Sequence, residues 1–364
     1  MSKIISIGTA VPEYRHNQKD ILTFMQRVYA MNEAEKRKLR FLYNQSAIDT
    51  RYSVLPDYTV DLDDWQFYPA SENLSPFPNL EKRMEWYNKT APGLSVNAIK
   101  NCLGNKWPVE KITHLITVSC TGLSAPGLDL QILESMNLSP AIFRTSVNFM
   151  GCYAAIHALK LAHAICNSEQ DALVIIVCTE LCTLHFQREN NMDNIASSLL
   201  FGDGSAAVLV GANGTKDAGV AIKNFYSEVS SEGKNEMSWQ LSSSGFLMKL
   251  SGYIPDLIQK DFNLLLENAL RHAGMTKEEI NFWCLHPGGK KILTAIEKSI
   301  DLNSTDLQAS YNVLRQYGNM SSATILFVLQ EILISAQNNE VQGNIFGAAF
   351  GPGLTMETFI LGYD

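Results

Sequence analysis

From about residue 111 onward, short apolar runs alternate with longer stretches whose apolar positions recur with a helical period. His114-Leu-Ile-Thr-Val-Ser-Cys120, Ser146-Val-Asn-Phe149 and Ala172-Leu-Val-Ile-Ile-Val-Cys178 read as strands, and Ala154 to Cys166 as a helix. Asn281 to His286 reads as another strand and Met320 to Ile334 as another helix. This alternation predicts an α/β protein built on a sheet with crossover helices. The first hundred residues are less regular. Met1 to Pro12 reads as a short strand ending in a turn. Asp57 to Pro78 mixes acidic residues, aromatics and prolines, and predicts a long loop laid over the body.

The pattern repeats. One strand ends at Cys120, before Thr-Gly; another ends at His286, before Pro-Gly-Gly, 166 positions later. Gly151-Cys152 leads into one apolar helix, and Gly318-Asn319 leads into another, 167 positions later. Phe201-Gly-Asp-Gly204 and Phe350-Gly-Pro-Gly353 each precede a strand. Near-equal offsets in matching contexts predict a duplicated α/β half. Both helices are apolar nearly all round, which places them at the centre of the molecule. Cys152 and Asn319 then begin two central helices related by a pseudo-twofold axis, where they can share a site.

Composition narrows the function. The chain has 364 residues, enough for a large core, and a net charge of −8, which argues against a general nucleic-acid binder. No apolar stretch approaches the length of a bilayer span, and the N-terminus lacks a secretory apolar region. The seven cysteines are odd in number and lie mostly in apolar runs, as in a reduced cytoplasmic chain rather than a disulfide framework. Cys178 and Cys182 have no second ligand pair at zinc spacing, and no phosphate-binding glycine loop opens a helix. No metal and no nucleotide cofactor are therefore expected.

Three residues carry candidate chemistry. Cys152 sits where a helix begins, near free backbone N–H groups that favour a thiolate. The plain alternative is a small buried hydrophobe. His286 ends a strand before two glycines that permit close approach of a ligand. Beside a cysteine, its ring pairs with a thiolate and then donates a hydrogen bond; otherwise it is a satisfied histidine. Asn319 either caps the following helix or aims its amide at a developing oxyanion.

These stretches resemble the type III polyketide synthases, the chalcone synthase-like family. Gly151-Cys152, Phe201-Gly-Asp-Gly-Ser-Ala-Ala207, His286-Pro-Gly-Gly289, Tyr317-Gly-Asn-Met-Ser-Ser-Ala323 and Phe350-Gly-Pro-Gly-Leu-Thr-Met-Glu-Thr358 carry the likeness. The resemblance implies a thiolase-like fold with a duplicated αβαβα layered core: a half with the cysteine over 1–212, and a half with the histidine and asparagine over 213–364. It implies a homodimer without cofactor, acting on CoA thioesters. Cys152 would accept an acyl starter. His286 and Asn319 would hold the enolate formed from malonyl-CoA by loss of carbon dioxide, and repeated Claisen condensation and cyclisation would give an aromatic or pyrone product.

By the same resemblance Phe201 is a gatekeeper, Met248 replaces a second gatekeeper phenylalanine, and Ser321, Cys120 and Thr121 line the cavity. His185 replaces a cavity-shaping threonine, and Gly351, Pro352 and Gly353 form a loop at the substrate. Lys38 matches a CoA-phosphate contact, with Gly288, Gly289 and Lys291 also at the CoA site. Phe41 and Gln45 stand where the family has two more basic residues. That leaves Arg40, Lys290 or Lys291 to compensate, or an acyl carrier protein to bring the starter. Ala349 replaces the first glycine of the family's Gly-Phe-Gly-Pro-Gly, so plant-type chalcone formation is not implied. The segment from Met237 to Ser251 is similar to bacterial members. A single-round ketoacyl synthase or a hydroxymethylglutaryl-CoA synthase-like enzyme is the alternative on this fold. A Cys-His-Asn hydrolase is the alternative of another class.

Overall fold

The computed structural model describes residues 2–29, 31–71, 73–212 and 219–363. The expected boundary at 212/213 therefore adjoins residues 213–218, which lie outside the described residues, as do Met1 and Asp364 at the two ends.

The first half runs β1 (Lys3–Ala10), β2 (Tyr14–Asn17), α1 (Gln18–Val28), α2 (Glu33–Gln45), β3 (Thr50–Ser53) and α3 (Leu80–Leu103). It continues β4 (His114–Ser119), α4 (Leu128–Met136), β5 (Phe143–Asn148), α5 (Ala154–Ser168), β6 (Leu173–Leu181), α6 (Met192–Leu200) and β7 (Asp203–Gly211). The second half runs β8 (Val220–Val229), β9 (Met237–Ser242), β10 (Gly245–Leu250), α7 (Ile254–Ala273), β11 (Ile280–Leu285) and α8 (Lys290–Ile300). It ends with α9 (Gln308–Tyr317), α10 (Thr324–Asn338), β12 (Gly343–Gly351) and β13 (Thr355–Tyr363).

Nine strands form one mixed sheet in the order β11-β12-β13-β8-β1-β7-β6-β4-β5. The duplication is written in its ladders. In the first half β4 and β6 are parallel, β6 and β7 antiparallel, and β7 and β1 antiparallel. In the second, β11 and β12 are parallel, β12 and β13 antiparallel, and β13 and β8 antiparallel. The halves join where Lys3 and Ile4 pair with Ala221 and Val220. The repeat is imperfect: the first half adds the edge strand β5, whereas the segment before Asn319 is the helix α9.

Strand β6, Leu-Val-Ile-Ile-Val-Cys-Thr-Glu-Leu, is buried at every position, as expected of a strand covered on both faces. Each such aliphatic side chain contributes about 1.5–3 kcal/mol by leaving water. One cluster holds Ala154, Ile156 and Leu159 of α5 together with Ile325, Leu326 and Val328 of α10. These helices are central in their first turns, but both emerge into solvent toward their C-termini.

The loop from 57 to 78, Glu72 aside, is irregular apart from a short turn at Leu62–Asp64. The Asp57 carboxylate closes it by accepting the N–H groups of Gln66, Phe67 and Tyr68 at 3.1, 3.0 and 2.8 Å. Phe67 and Tyr68 are buried against Trp86 and Phe186. Hairpin β9–β10 lies outside the main sheet and packs against α6.

Candidate active site

A cavity of about 290 Å³ has Cys152, His286 and Asn319 together in its wall. Cys152 follows β5 and precedes α5 by two residues. Gly151 before it has φ +90°, and a Cβ there would lie 2.2 Å from the Pro352 ring, so this approach of the β12–β13 turn to Cys152 requires glycine. His286 directly follows β11, held by its N–H to the Ala348 carbonyl at 2.9 Å. Its ring is buried, and neither ring nitrogen has a hydrogen-bond partner among the described residues. Leaving such a group unpaired costs about 1–3 kcal/mol.

Asn319 stitches the halves together. Its N–H donates to the Leu200 carbonyl at 2.9 Å, and its own carbonyl accepts from Gly202 at 3.0 Å. Its side-chain oxygen accepts the Ser321 N–H at 2.8 Å. That fixes the amide orientation, and Asn319 and Ser321 lie where both favour the charged form of the Cys152 thiol. Asn319 does not cap α10, whose N-cap is Ala323 with no side-chain bond; the Asn319 oxygen closes a turn onto Ser321 instead.

Burial sets the charges. The Cys152 thiol is pushed up to about 12 by desolvation, against hydrogen bonds from Ser321 and Asn319 that pull it down. Burial pushes His286 down to about 3. Desolvation thus opposes the helix end, which favours the thiolate, and acts on thiol and imidazole alike toward their neutral forms.

The profile "Chalcone and stilbene synthases, N-terminal domain" matches residues 1–214, and "Chalcone and stilbene synthases, C-terminal domain" matches residues 222–363. The chain belongs to this family. It is a type III polyketide synthase, a condensing enzyme of mixed α/β, thiolase-like fold. PKS-I from the brown alga Ectocarpus siliculosus superposes with a TM-score of 0.93 at 25% identity, covering 100% of this chain and 98% of that one. The C-terminal type III polyketide synthase domain of Steely1, a type I/III hybrid from Dictyostelium, gives 0.91 at 25% identity, with 100% and 99% covered.

Of the other positions carried over from the synthases, Phe201, Met248, Ser321, Cys120, Thr121, Pro352, Gly288, Gly289 and Lys291 all line the cavity. Cys120 Sγ accepts the Gly151 N–H at 3.0 Å, which ties it to the turn before Cys152. His185 does not line the cavity. Its Nε2–H donates to the Thr121 carbonyl at 2.7 Å, its Nδ1 accepts the Phe246 N–H at 3.1 Å, and its ring stacks on Phe246 at 4.2 Å. Burial, with Arg83 nearby, pushes its pKa down to about 3, so it is a neutral prop behind the wall. Gly351 backs onto Tyr153 rather than the cavity, and Gly353 takes φ +74° in the turn. Lys38 and Arg40 are exposed on α2 and not in the lining. Lys38 shares the helix face of Leu42 and Gln45, which do line the cavity, whereas the helical period turns Arg40 away.

Sequence reasoning missed two wall elements. Trp239 of the hairpin lines the cavity and donates from Nε1 to the Cys120 carbonyl at 2.6 Å. Glu180 lies buried beneath the Cys120–Thr121 turn. It accepts the Cys120 N–H and the Thr121 hydroxyl, both at 2.9 Å, and the Ser322 hydroxyl at 2.5 Å. Burial pushes its pKa up to about 7. A glutamate near the end of an apolar run was the available signal.

Proposed function

We propose that this synthase loads an acyl starter on Cys152 and extends it with malonyl-CoA, with His286 and Asn319 as the enolate-holding pair. One observation carries the reading: a buried cysteine shares a largely apolar cavity with a histidine whose ring nitrogens are both unpartnered and an asparagine whose amide nitrogen is turned inward. His286 takes the Cys152 proton as the thiol attacks the starter thioester, and the starter's own thiol leaves with a proton. Malonyl-CoA then loses carbon dioxide, and the resulting enolate oxygen is held by N–H groups of His286 and Asn319 in a water-poor site. The enolate carbon attacks the acyl carbon, the Cys152 sulfur departs, and the chain leaves two carbons longer on CoA, ready to reload. Cyclisation ends the cycle. No metal or redox cofactor enters these steps. The apolar walls of Leu199, Met237, Met248 and Ile258 suit an aliphatic starter.

The finer assignments belong to the same proposal. The halves divide at 212/213, a reading supported by the repeated ladders and by the family matches to 1–214 and 222–363. The enzyme is a homodimer of the cytoplasm. Edge strand β5, with Phe143 66% exposed, supports the dimer, and seven buried free cysteines support a reducing compartment. The starter comes from CoA or a carrier protein. No helix among the described residues is long and apolar enough to cross a membrane.

The test is the intact mass of the protein after incubation with acyl-CoA and no malonyl-CoA. The proposal expects one acyl increment that maps to the peptide carrying Cys152 and is missing from Cys152→Ala. An increment that persists in that variant contradicts it.

A further inference from the structure

Helix α6 brings Met192, Ile195, Leu199 and Leu200 into the cavity wall and ends at Phe201. A helix leaves its last carbonyls without partners of its own, and they form the negative end of its dipole. Here each of them is met from elsewhere in the chain. The Tyr43 hydroxyl donates to the Ser198 carbonyl at 3.3 Å and Gln18 Nε2 to the Leu199 carbonyl at 2.9 Å. The Asn319 N–H donates to the Leu200 carbonyl at 2.9 Å, and Arg51 Nη1 to the Phe201 carbonyl. The last turn of α6 has no basic residue, so Arg51 supplies the positive charge at this end. Arg51 is buried and has no ion-pair partner among the described residues. The carboxylate of Asp203, close enough to act on it, is taken up by Val54 and Thr183. A guanidinium is costly to bury unless its donors find partners, and those of Arg51 go to the end of α6 and to Gln18.

The same side chain reaches the segment that carries Asn319. Arg51 Nε donates to Gln18 Oε1 at 2.9 Å, so the side chains that hold the Leu199 and Phe201 carbonyls also hold each other. The Arg51 stem lies against Gly318, which has φ +67°: a Cβ there would fall 2.9 Å from Arg51 Cδ. Gly318 immediately precedes Asn319, and Phe201 and Asn319 pair as an isolated parallel bridge. We propose that Arg51 is a positioning residue for condensation: its fork locks the end of α6, and through that bridge it sets where the Asn319 amide stands in the cavity. The inference rests on the synthase reading above, in which Asn319 holds the enolate and Cys152 with His286 carries out loading. A lysine would keep the charge but not the planar fork that binds Gln18 and the Phe201 carbonyl together.

The experiment separates the two half-reactions. Loading is the rate at which dodecanoyl-CoA acylates Cys152, read by intact mass. Condensation is the rate at which the acylated enzyme releases labelled carbon dioxide from carboxyl-labelled malonyl-CoA. Both are measured on the native chain, Arg51→Lys, Gln18→Met, Asn319→Ala and the double variant Arg51→Lys with Asn319→Ala, with circular dichroism to verify folding. The proposal expects carbon dioxide release to slow about tenfold in Arg51→Lys and about threefold in Gln18→Met, with loading within about twofold of native in both. In the Asn319→Ala background Arg51→Lys should add less than about twofold, because the amide it positions is already gone. Loading and release slowed alike, a full tenfold loss added to Asn319→Ala, or undiminished release by folded Arg51→Lys would each overturn the positioning role and leave the synthase intact. If Arg51→Lys does not fold, Gln18→Met decides: release slowed with loading kept supports the role, and any other result overturns it. A folded native chain that neither acylates Cys152 nor releases carbon dioxide removes the synthase reading and the positioning role with it.

Discussion

The Asn319 side-chain oxygen accepts the Ser321 backbone N–H at 2.8 Å, and this one bond determines which end of the amide Cys152 meets. Asn319→Asp keeps the acceptor and replaces the inward N–H donor with an oxygen. Loss of one such donor typically lowers turnover about 10²–10³-fold. We expect a fall of that order in product formation with melting temperature nearly unchanged. Asn319→Ala should show the same fall and a stability loss of about 1 kcal/mol from the missing turn hydrogen bond to Ser321. Parallel kinetics and thermal melts check both, and an active Asn319→Asp enzyme would contradict the assignment.

His286 predicts an opposition between stability and activity. Its buried ring nitrogens are unpartnered, so His286→Leu should leave the fold as stable or more so. Condensation should drop by about 10²–10⁴-fold, the usual contribution of a positioned acid–base group. Denaturant melts and rates on the same preparation measure the two effects. Loss of stability together with activity would make His286 a structural residue.

Glu180 predicts a pH dependence of stability. Its folded pKa, about 7, lies above its ordinary value of 4.5. Between those values the folded state holds a proton that the unfolded state has released. The Glu180 contribution is therefore fully present below about pH 4.5 and is lost as pH rises through about 7. Glu180→Gln keeps the shape without the titration and should flatten the fall in stability across that window. Chemical denaturation of both proteins from pH 5 to 8 measures it, and superimposable slopes would refute it.

Trp239 stands in the wall against Cys120, held by its N–H to that carbonyl. Trp239→Ala should enlarge the cavity and admit more extension steps or a bulkier starter. The lost packing of a half-buried aromatic should cost about 2 kcal/mol. Met248→Phe should act in the reverse direction and shorten the accepted starters. Product-length distributions test the pair, and unchanged distributions in both would remove this wall from chain-length control.

Much of the layout was legible in the sequence, and the reasons are physical. Cys152 and His286 sit at βα junctions and Asn319 between α9 and α10, each near a glycine whose positive φ or close approach leaves a local trace. The repeat was legible because each half must bury an apolar helix on the same ladder of strands. His185 was misread because two ring hydrogen bonds, to Thr121 and from Phe246, come from residues 64 and 61 positions away. Trp239 and Glu180 were missed for the same reason: their partners, Cys120 and Ser322, meet them only through tertiary packing.

The most direct test is mass spectrometry of the products made by purified enzyme from malonyl-CoA and a panel of acyl thioesters, with Cys152→Ala alongside. The account predicts products longer than the starter by repeated two-carbon ketide units, absent from the variant. Hydrolysed starter without extension, or extension by Cys152→Ala, would contradict it.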